Sequence, residues 1–211
     1  MSLISRSKHH KNKLVFETLA GLIHVEVSCS GDQTKISMTQ PKPKFGLKIE
    51  KKVLSQIGGI PENSILCKPQ VVSTGLPFPI VLVDTLETLQ KVTIDYQALD
   101  KFRATSSEND LMEPFWVCLS SPRENGITFS RLLLQSAGRS EDPFTGSATG
   151  AMAAYLWDNG LIQEPTFTAH QGDFLGRPGE AEVEVLGRLG NISGVKVTGS
   201  AYILMTGKLK I

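Results

Sequence analysis

The sequence is short of cysteine, of long apolar runs and of net charge, and each shortage excludes something. Cys29, Cys67 and Cys118 are its three cysteines, far apart along 211 residues. Their spacing matches no zinc or iron–sulfur pattern, and an odd number without a signal peptide reads as reduced thiols in an intracellular, cytoplasmic protein. No apolar run approaches the roughly 20 residues of a membrane span, so no membrane partner is expected. Lys and Arg number 22 against 21 Asp and Glu, so nothing favours bulk attraction to nucleic acid. A phosphate loop, a dinucleotide fingerprint and a Gly-x-Ser-x-Gly nucleophile elbow are also missing. The basic opening MSLISRSKHHKNK (residues 1–13) reads as a flexible tail.

What is present is organised around Glu141 to Trp157, EDPFTGSATGAMAAYLW. Its first half is loop chemistry, with two acids, a proline and then small residues. From Ala148 onward it carries no charge as far as Trp157, and a helix apolar on all sides has to be buried. Small residues leading into such a helix place its N-terminus at a cleft. Unpaired N–H groups and the positive dipole end there suit an anion such as a small carboxylate. Asp142 stands beside that position as a candidate proton-transfer group. Gly146 lets a ligand approach the backbone, Ser147 offers a hydroxyl and an N–H, and Thr145 or Ser147 is placed to cap the helix. A plainer reading fits the same residues: Asp142 or Thr145 only caps the helix, and the glycines only shape the turn.

Taken in order, Leu14 to Val27 reads as two strands about Ala20-Gly21, with His24 on the exposed face, and Thr34 to Thr39 as a third. Gln40 to Gly46, QPKPKFG, reads as a linker whose prolines favour extended chain. Ile49 to Ile57 is an amphipathic helix stopped by Gly58-Gly59. Val71 to Val83 supplies two strands interrupted by Thr74-Gly75-Leu76-Pro77, a bend at an edge or against a ligand. Asp84 to Leu99 has helical periodicity, and Ala104 to Asp110 is a surface loop. Phe115 to Leu119 and Ile127 to Leu134 are strands, and Asn159-Gly160 stops the central helix. Glu182 to Leu186, Gly194 to Thr198 and Tyr202 to Met205 are further strand candidates. Many short antiparallel strands with about three helices make the class α+β, with a barrel-like sheet around the apolar helix. The loop Ala169 to Gly179 is a second candidate site: Arg177 there can clamp a carboxylate, and His170 can shuttle protons or simply be structural.

At these residues the sequence resembles the PhzF-like family, named for a phenazine-biosynthesis isomerase and sharing the diaminopimelate-epimerase fold. Phe16-Glu17-Thr18 with Gly21, Met38 to Pro41, Ser73 to Pro77, Glu141 to Ala148, Gln171-Gly172 with Gly176 to Gly179, and Gly199 to Leu209 match in order. The resemblance implies two similar halves, each a barrel-like sheet around a central helix, with the active site between them. Here residues 14–40, completed by 198–211, would belong to the first half and 41–197 to the second. It also implies proton transfer without cofactor or metal on a small carboxylic acid, and a homodimer. Asp142 is the implied catalytic residue, and Thr145, Gly146, Ser147 and Gly172 the implied substrate-binding set. Two features depart from the pattern. The family's glutamate segment and Gly-His-Pro motif do not occur, which would leave the first half truncated. Arg131 to Ser136, RLLLQS, stands where the family has Arg-x-Phe-x-Pro. The expected protein is thus an isomerase impaired in catalysis; the alternative is an inactive module that binds a small ligand or another protein.

Overall fold

The computed structural model describes residues 11–18, 21–30, 33–108, 110–136, 139–202, 205 and 207. Its strands are β1 (Lys11–Thr18), β2 (Gly21–Ser30), β3 (Gln33–Gln40), β4 (Lys44–Lys48), β5 (Gln70–Ser73), β6 (Pro77–Val83), β7 (Phe115–Cys118), β8 (Thr128–Ser136), β9 (Arg139–Asp142), β10 (Thr166–Gln171), β11 (Gly179–Arg188) and β12 (Asn191–Ala201). The helices are α1 (Lys51–Gly58), α2 (Leu86–Lys91), α3 (Tyr96–Thr105) and α4 (Gly146–Asp158). All twelve strands join one sheet in the order β1-β2-β3-β12-β11-β10-β8-β7-β6-β5-β4, with β9 paired to β8.

The expected all-antiparallel sheet needs correction, because β6–β7 and β8–β10 are parallel. The reason is connectivity. Parallel neighbours need a crossover of a dozen or more residues; α2 and α3 lie in the first crossover and α4 in the second. The catalytic candidates therefore sit in the crossover between β8 and β10.

Strands β6 and β7 are buried on both faces, which explains their unbroken apolar runs. Ile80, Leu82, Phe115 and Val117 pack in the cluster around α4. Their alternates Val81, Val83, Trp116 and Cys118 join a second cluster with Leu54 of α1 and Leu89 of α2. Helix α4 touches β5, β6 and β7 as well as β11 and β12. The sheet therefore curves about it, and every residue from Ala148 to Leu156 is buried. Asn159 ends the helix, its Nδ2 donating to the Tyr155 carbonyl at 2.8 Å, and Gly160 follows at φ 65°.

Four local expectations change. The helix expected over Asp84 to Leu99 is two helices, since Asp95 Oδ1 accepts from the Gln97 and Ala98 N–H groups at 3.0 Å and starts α3. The β-branched run Val92-Thr93-Ile94 between them has low helix propensity. The stretch expected as a linker, Gln40 to Gly46, contains a buried Gln40 and the start of β4. The Thr74–Pro77 bend is not at a sheet edge, because β5 is paired on both sides. Tyr202 and Met205 are exposed and outside any strand; residues 203 and 204 lie outside the described set. Among the described residues no helix is long and apolar enough to cross a membrane.

Candidate active site

The two acids that open the loop have different jobs. Glu141 is buried at the end of β9, opposite Leu133 of β8. Arg131 meets it with two hydrogen bonds, Nε at 3.0 Å and Nη2 at 2.8 Å. The remaining nitrogen, Nη1, donates to the carbonyls of Leu89, Gln90 and Val92 at 2.9, 3.0 and 3.2 Å. Those carbonyls close the C-terminal end of α2, where a cation is favoured. Glu141 is thus a structural anchor, and the altered strand RLLLQS supplies its partner.

Asp142 is half-buried and aimed forward along the chain, toward Thr145. Its Oδ2 accepts from the Thr145 hydroxyl at 2.7 Å. Gln171, fully buried at the end of β10, ties the same loop three times. Its Nε2 donates to the Asp142 carbonyl at 2.8 Å and to Thr145 Oγ1 at 3.1 Å, and its Oε1 accepts from the Thr145 N–H at 3.0 Å. Thr145 therefore spends its hydroxyl within the loop and makes no side-chain cap on α4, although it occupies the N-cap position. Replacing Gln171 with leucine should cost about 2–4 kcal/mol in urea unfolding, since the buried Thr145 N–H and Asp142 carbonyl both lose their partner. A loss below about 1 kcal/mol would mean that the loop is held by something else.

The start of α4 is left open. Among the described residues no group accepts from the N–H of Gly146, Ser147 or Ala148; the first intrahelical bond runs from Thr149 N to Thr145 O at 2.9 Å. A Cβ added at Gly146 would meet nothing within 4 Å. The φ of Gly146 is not among the positive ones either, so the fold itself does not require glycine there. Behind this turn sit Gln40, which the sequence places in a linker, and Thr74, which it places in a bend at an edge or against a ligand. Gln40, buried at the end of β3, donates from Nε2 to the Gly146 carbonyl at 2.8 Å. Thr74 donates to Gln40 Oε1 at 2.5 Å and reaches the Ser147 carbonyl at 3.4 Å. Gln40, Thr74 and Gln171 all lie in the MTQP, STGLP and QG stretches, and the bend at Thr74 and the loop around Gln171 are also candidate sites in the sequence.

Gly172 has φ 92°, and a Cβ there would lie 2.3 Å from the Arg177 carbonyl and 2.5 Å from that of Pro143. Its own carbonyl accepts from Leu175 and Arg177 at 3.0 and 3.1 Å. Arg177 is exposed. His170 is buried and belongs to a neighbouring polar cluster, its Nδ1 2.6 Å from Ser121 Oγ and its Nε2 3.8 Å from Glu180. Burial lowers the His170 pKa, the Arg123 charge adds to that, and Glu180 and Asp173 oppose it. It is kept neutral by its surroundings and is not joined to Asp142 by any hydrogen bond. A groove of about 290 Å³ lies among β2, β3, β10, β11 and β12, lined by charged side chains including Lys35, Glu182, Glu184 and Lys196. It shares no residue with the Asp142–Ser147 loop. Among the described residues no three His, Cys, Asp or Glu side chains converge as a metal-binding set.

Known proteins resemble this chain over most of its length. The family model for phenazine biosynthesis-like proteins, PhzC-PhzF, matches residues 1–207. This chain belongs to that family. It is 30% identical over 210 residues to an uncharacterized isomerase from Clostridium acetobutylicum, covering 94% of this chain and 68% of that one. The uncharacterized isomerase YfhB from Bacillus subtilis is 28% identical, with 92% of this chain and 67% of the relative covered. Among solved structures, the PhzF-family phenazine biosynthesis protein from Bacillus anthracis superposes with a TM-score of 0.72 at 22% identity, over 92% of this chain and 70% of that one. A predicted epimerase from Pseudomonas aeruginosa gives 0.70 at 26% identity, over 95% and 70%. The phenazine biosynthesis-like fold is the fold of this chain, and its relatives carry the name isomerase.

Proposed function

We propose that this chain carries the carboxylate cradle and one proton-transfer group of an isomerase that moves the α-proton of a small carboxylic acid. The observation that supports it most is the open start of α4. Among the described residues three N–H groups there have no acceptor, the surface at Gly146 is clear, and Asp142 is tethered to the same turn. A carboxylate bound to those N–H groups gains charge-assisted hydrogen bonds and the favourable end of the helix dipole. As the α-proton leaves, negative charge spreads onto that carboxylate, so the same donors stabilise the transition state more than the ground state. Asp142 takes the proton or returns it. Gly146 and Ser147 face the ligand in this reading. Thr145 and Gly172 act by holding the loop: Thr145 through Asp142 and Gln171, Gly172 by filling the narrow space beneath Pro143. No cofactor is invoked.

In the same proposal β1–β3 with the end of β12 are part of a first half-barrel, and β4 to β12 around α4 form the second. The sequence contains no Gly-His-Pro motif, so Asp142 works from one side and the chain is impaired: hydrogen exchanges at the α-carbon faster than the centre inverts. Homodimer formation and a cytoplasmic location belong to this proposal, and exposed Val15, Phe16 and Leu22 offer a surface to a second copy. Incubation in deuterium oxide with a panel of small amino and hydroxy acids is the test. Deuterium at the α-carbon of at least one is expected. Tight binding with no exchange across the panel would favour the alternative, a ligand-binding module without turnover.

Gly146→Ala isolates the cradle from the fold. Stability should change by less than about 1 kcal/mol, since alanine is the better helix former and its Cβ meets open space. The half-saturating substrate concentration for exchange should rise at least about tenfold, because the methyl group crowds the ligand. Unchanged saturation would place the ligand elsewhere.

A further inference from the structure

One of the unpaired N–H groups at the start of α4 belongs to a peptide unit whose carbonyl is gripped from behind. Ser147 N–H shares a peptide with the Gly146 carbonyl, which accepts from Gln40 Nε2 at 2.8 Å. Thr74 holds Gln40 in turn: its one hydroxyl proton goes to Gln40 Oε1 at 2.5 Å, and the Ser147 carbonyl, 3.4 Å from Thr74 Oγ1, receives none. A hydrogen bond accepted by a carbonyl polarises its peptide and strengthens the N–H on the far side, by about 10–30% per bond. Resting on the anion-cradle reading above, we propose that Gln40 is a positioning residue that polarises and orients the Ser147 N–H group for the substrate carboxylate, with Thr74 fixing the orientation of the Gln40 amide.

The geometry around Gln40 supports this assignment. Its amide is ordered head to tail: Oε1 accepts from the Thr74 hydroxyl, which leaves Nε2 to donate to Gly146. Gln40 is buried, so neither bond competes with water. Space for it exists only because residue 150 is glycine: a Cβ there would sit 1.9 Å from Gln40 Oε1 and 2.9 Å from Nε2. Glycine in a helix interior costs about 0.5–1 kcal/mol relative to alanine, and the Gln40 contact is the physical reason for it here. Gln40 ends β3 and α4 follows 106 residues later. The strand layer of β1–β3 is thereby coupled to the ligand-binding turn, and a shift of β3 against α4 would change how well the cradle donates.

The test uses amide proton and nitrogen shifts of the full chain, with acetate as the probe carboxylate. Gln40→Met keeps the length and removes the donor; Thr74→Val keeps the shape and removes the hydroxyl. Gly150→Ala displaces Gln40 while adding a better helix former, which covers the case in which a Gln40 variant folds poorly. In unliganded protein, Gln40→Met and Gly150→Ala should move the Ser147 amide proton upfield, and Thr74→Val should move it the same way by less. The Gln40 and Gly150 variants should weaken acetate binding about fivefold, the equivalent of one hydrogen bond of about 1 kcal/mol. Amide shifts unchanged in all three variants overturn the proposal, as does unchanged acetate affinity. If wild-type protein fails to bind acetate at α4, the cradle reading falls, and the unliganded Ser147 shift still decides whether Gln40, held by Thr74, polarises this turn.

Discussion

Asp142→Asn should lower α-proton exchange into deuterium oxide by at least about a hundredfold, within the range that a positioned general acid or base contributes. The substitution is close to isosteric. The Thr145 hydroxyl that donates to Asp142 Oδ2 at 2.7 Å can donate to the asparagine carbonyl in the same place. Gln171 holds the backbone of residue 142 through its carbonyl, which the substitution leaves alone. Stability should therefore stay within about 1 kcal/mol of the parent, and acetate should still bind at α4. Loss of exchange with binding and folding intact is the signature of a proton-transfer group. Exchange that survives at the parental rate removes Asp142 from the chemistry.

The largest effect on stability is expected at Arg131. Replacing it with methionine strands Glu141, whose side chain is only 5% exposed, and leaves three carbonyls at the end of α2 without their donor. Removing one partner of a buried pair costs about 3–5 kcal/mol, because the other charge stays buried and uncompensated. The urea midpoint should fall accordingly with little change in slope. Replacing Glu141 by leucine in the same protein should restore most of the loss, since a buried pair exchanged for apolar groups is often neutral. A single-variant cost below about 1 kcal/mol would show that this pair does not hold β9 to β8.

Much of the fold was legible in the sequence. The uncharged stretch Ala148 to Trp157 reads directly as a buried helix, and unbroken apolar runs such as PFPIVLV mark strands covered on both faces. Segments that fold through distant partners were harder to read. Strand β10, TFTAHQ, looks like loop because it ends in His170 and Gln171, yet both are buried. Their polarity is satisfied by Ser121, 49 residues away, and by Thr145, 26 residues away. Periodicity cannot show such pairings. The two prolines near Gln40 suggested a linker, whereas Gln40 itself pins the first turn of α4. The proposed site could be named from the sequence for a local reason: Asp142, Gly146 and Ser147 lie within one short loop. The residues that support it come from β3, the β5–β6 bend and β10, which only the folded chain brings together.

The central claim is that the start of α4 receives a carboxylate. An amide-shift titration of the full chain with acetate tests it most directly. The amides of Gly146, Ser147 and Ala148 should move together and saturate, ahead of any other residues. Acetate that leaves these three amides in place while shifting others, for instance around Lys35 and Lys196, would contradict it.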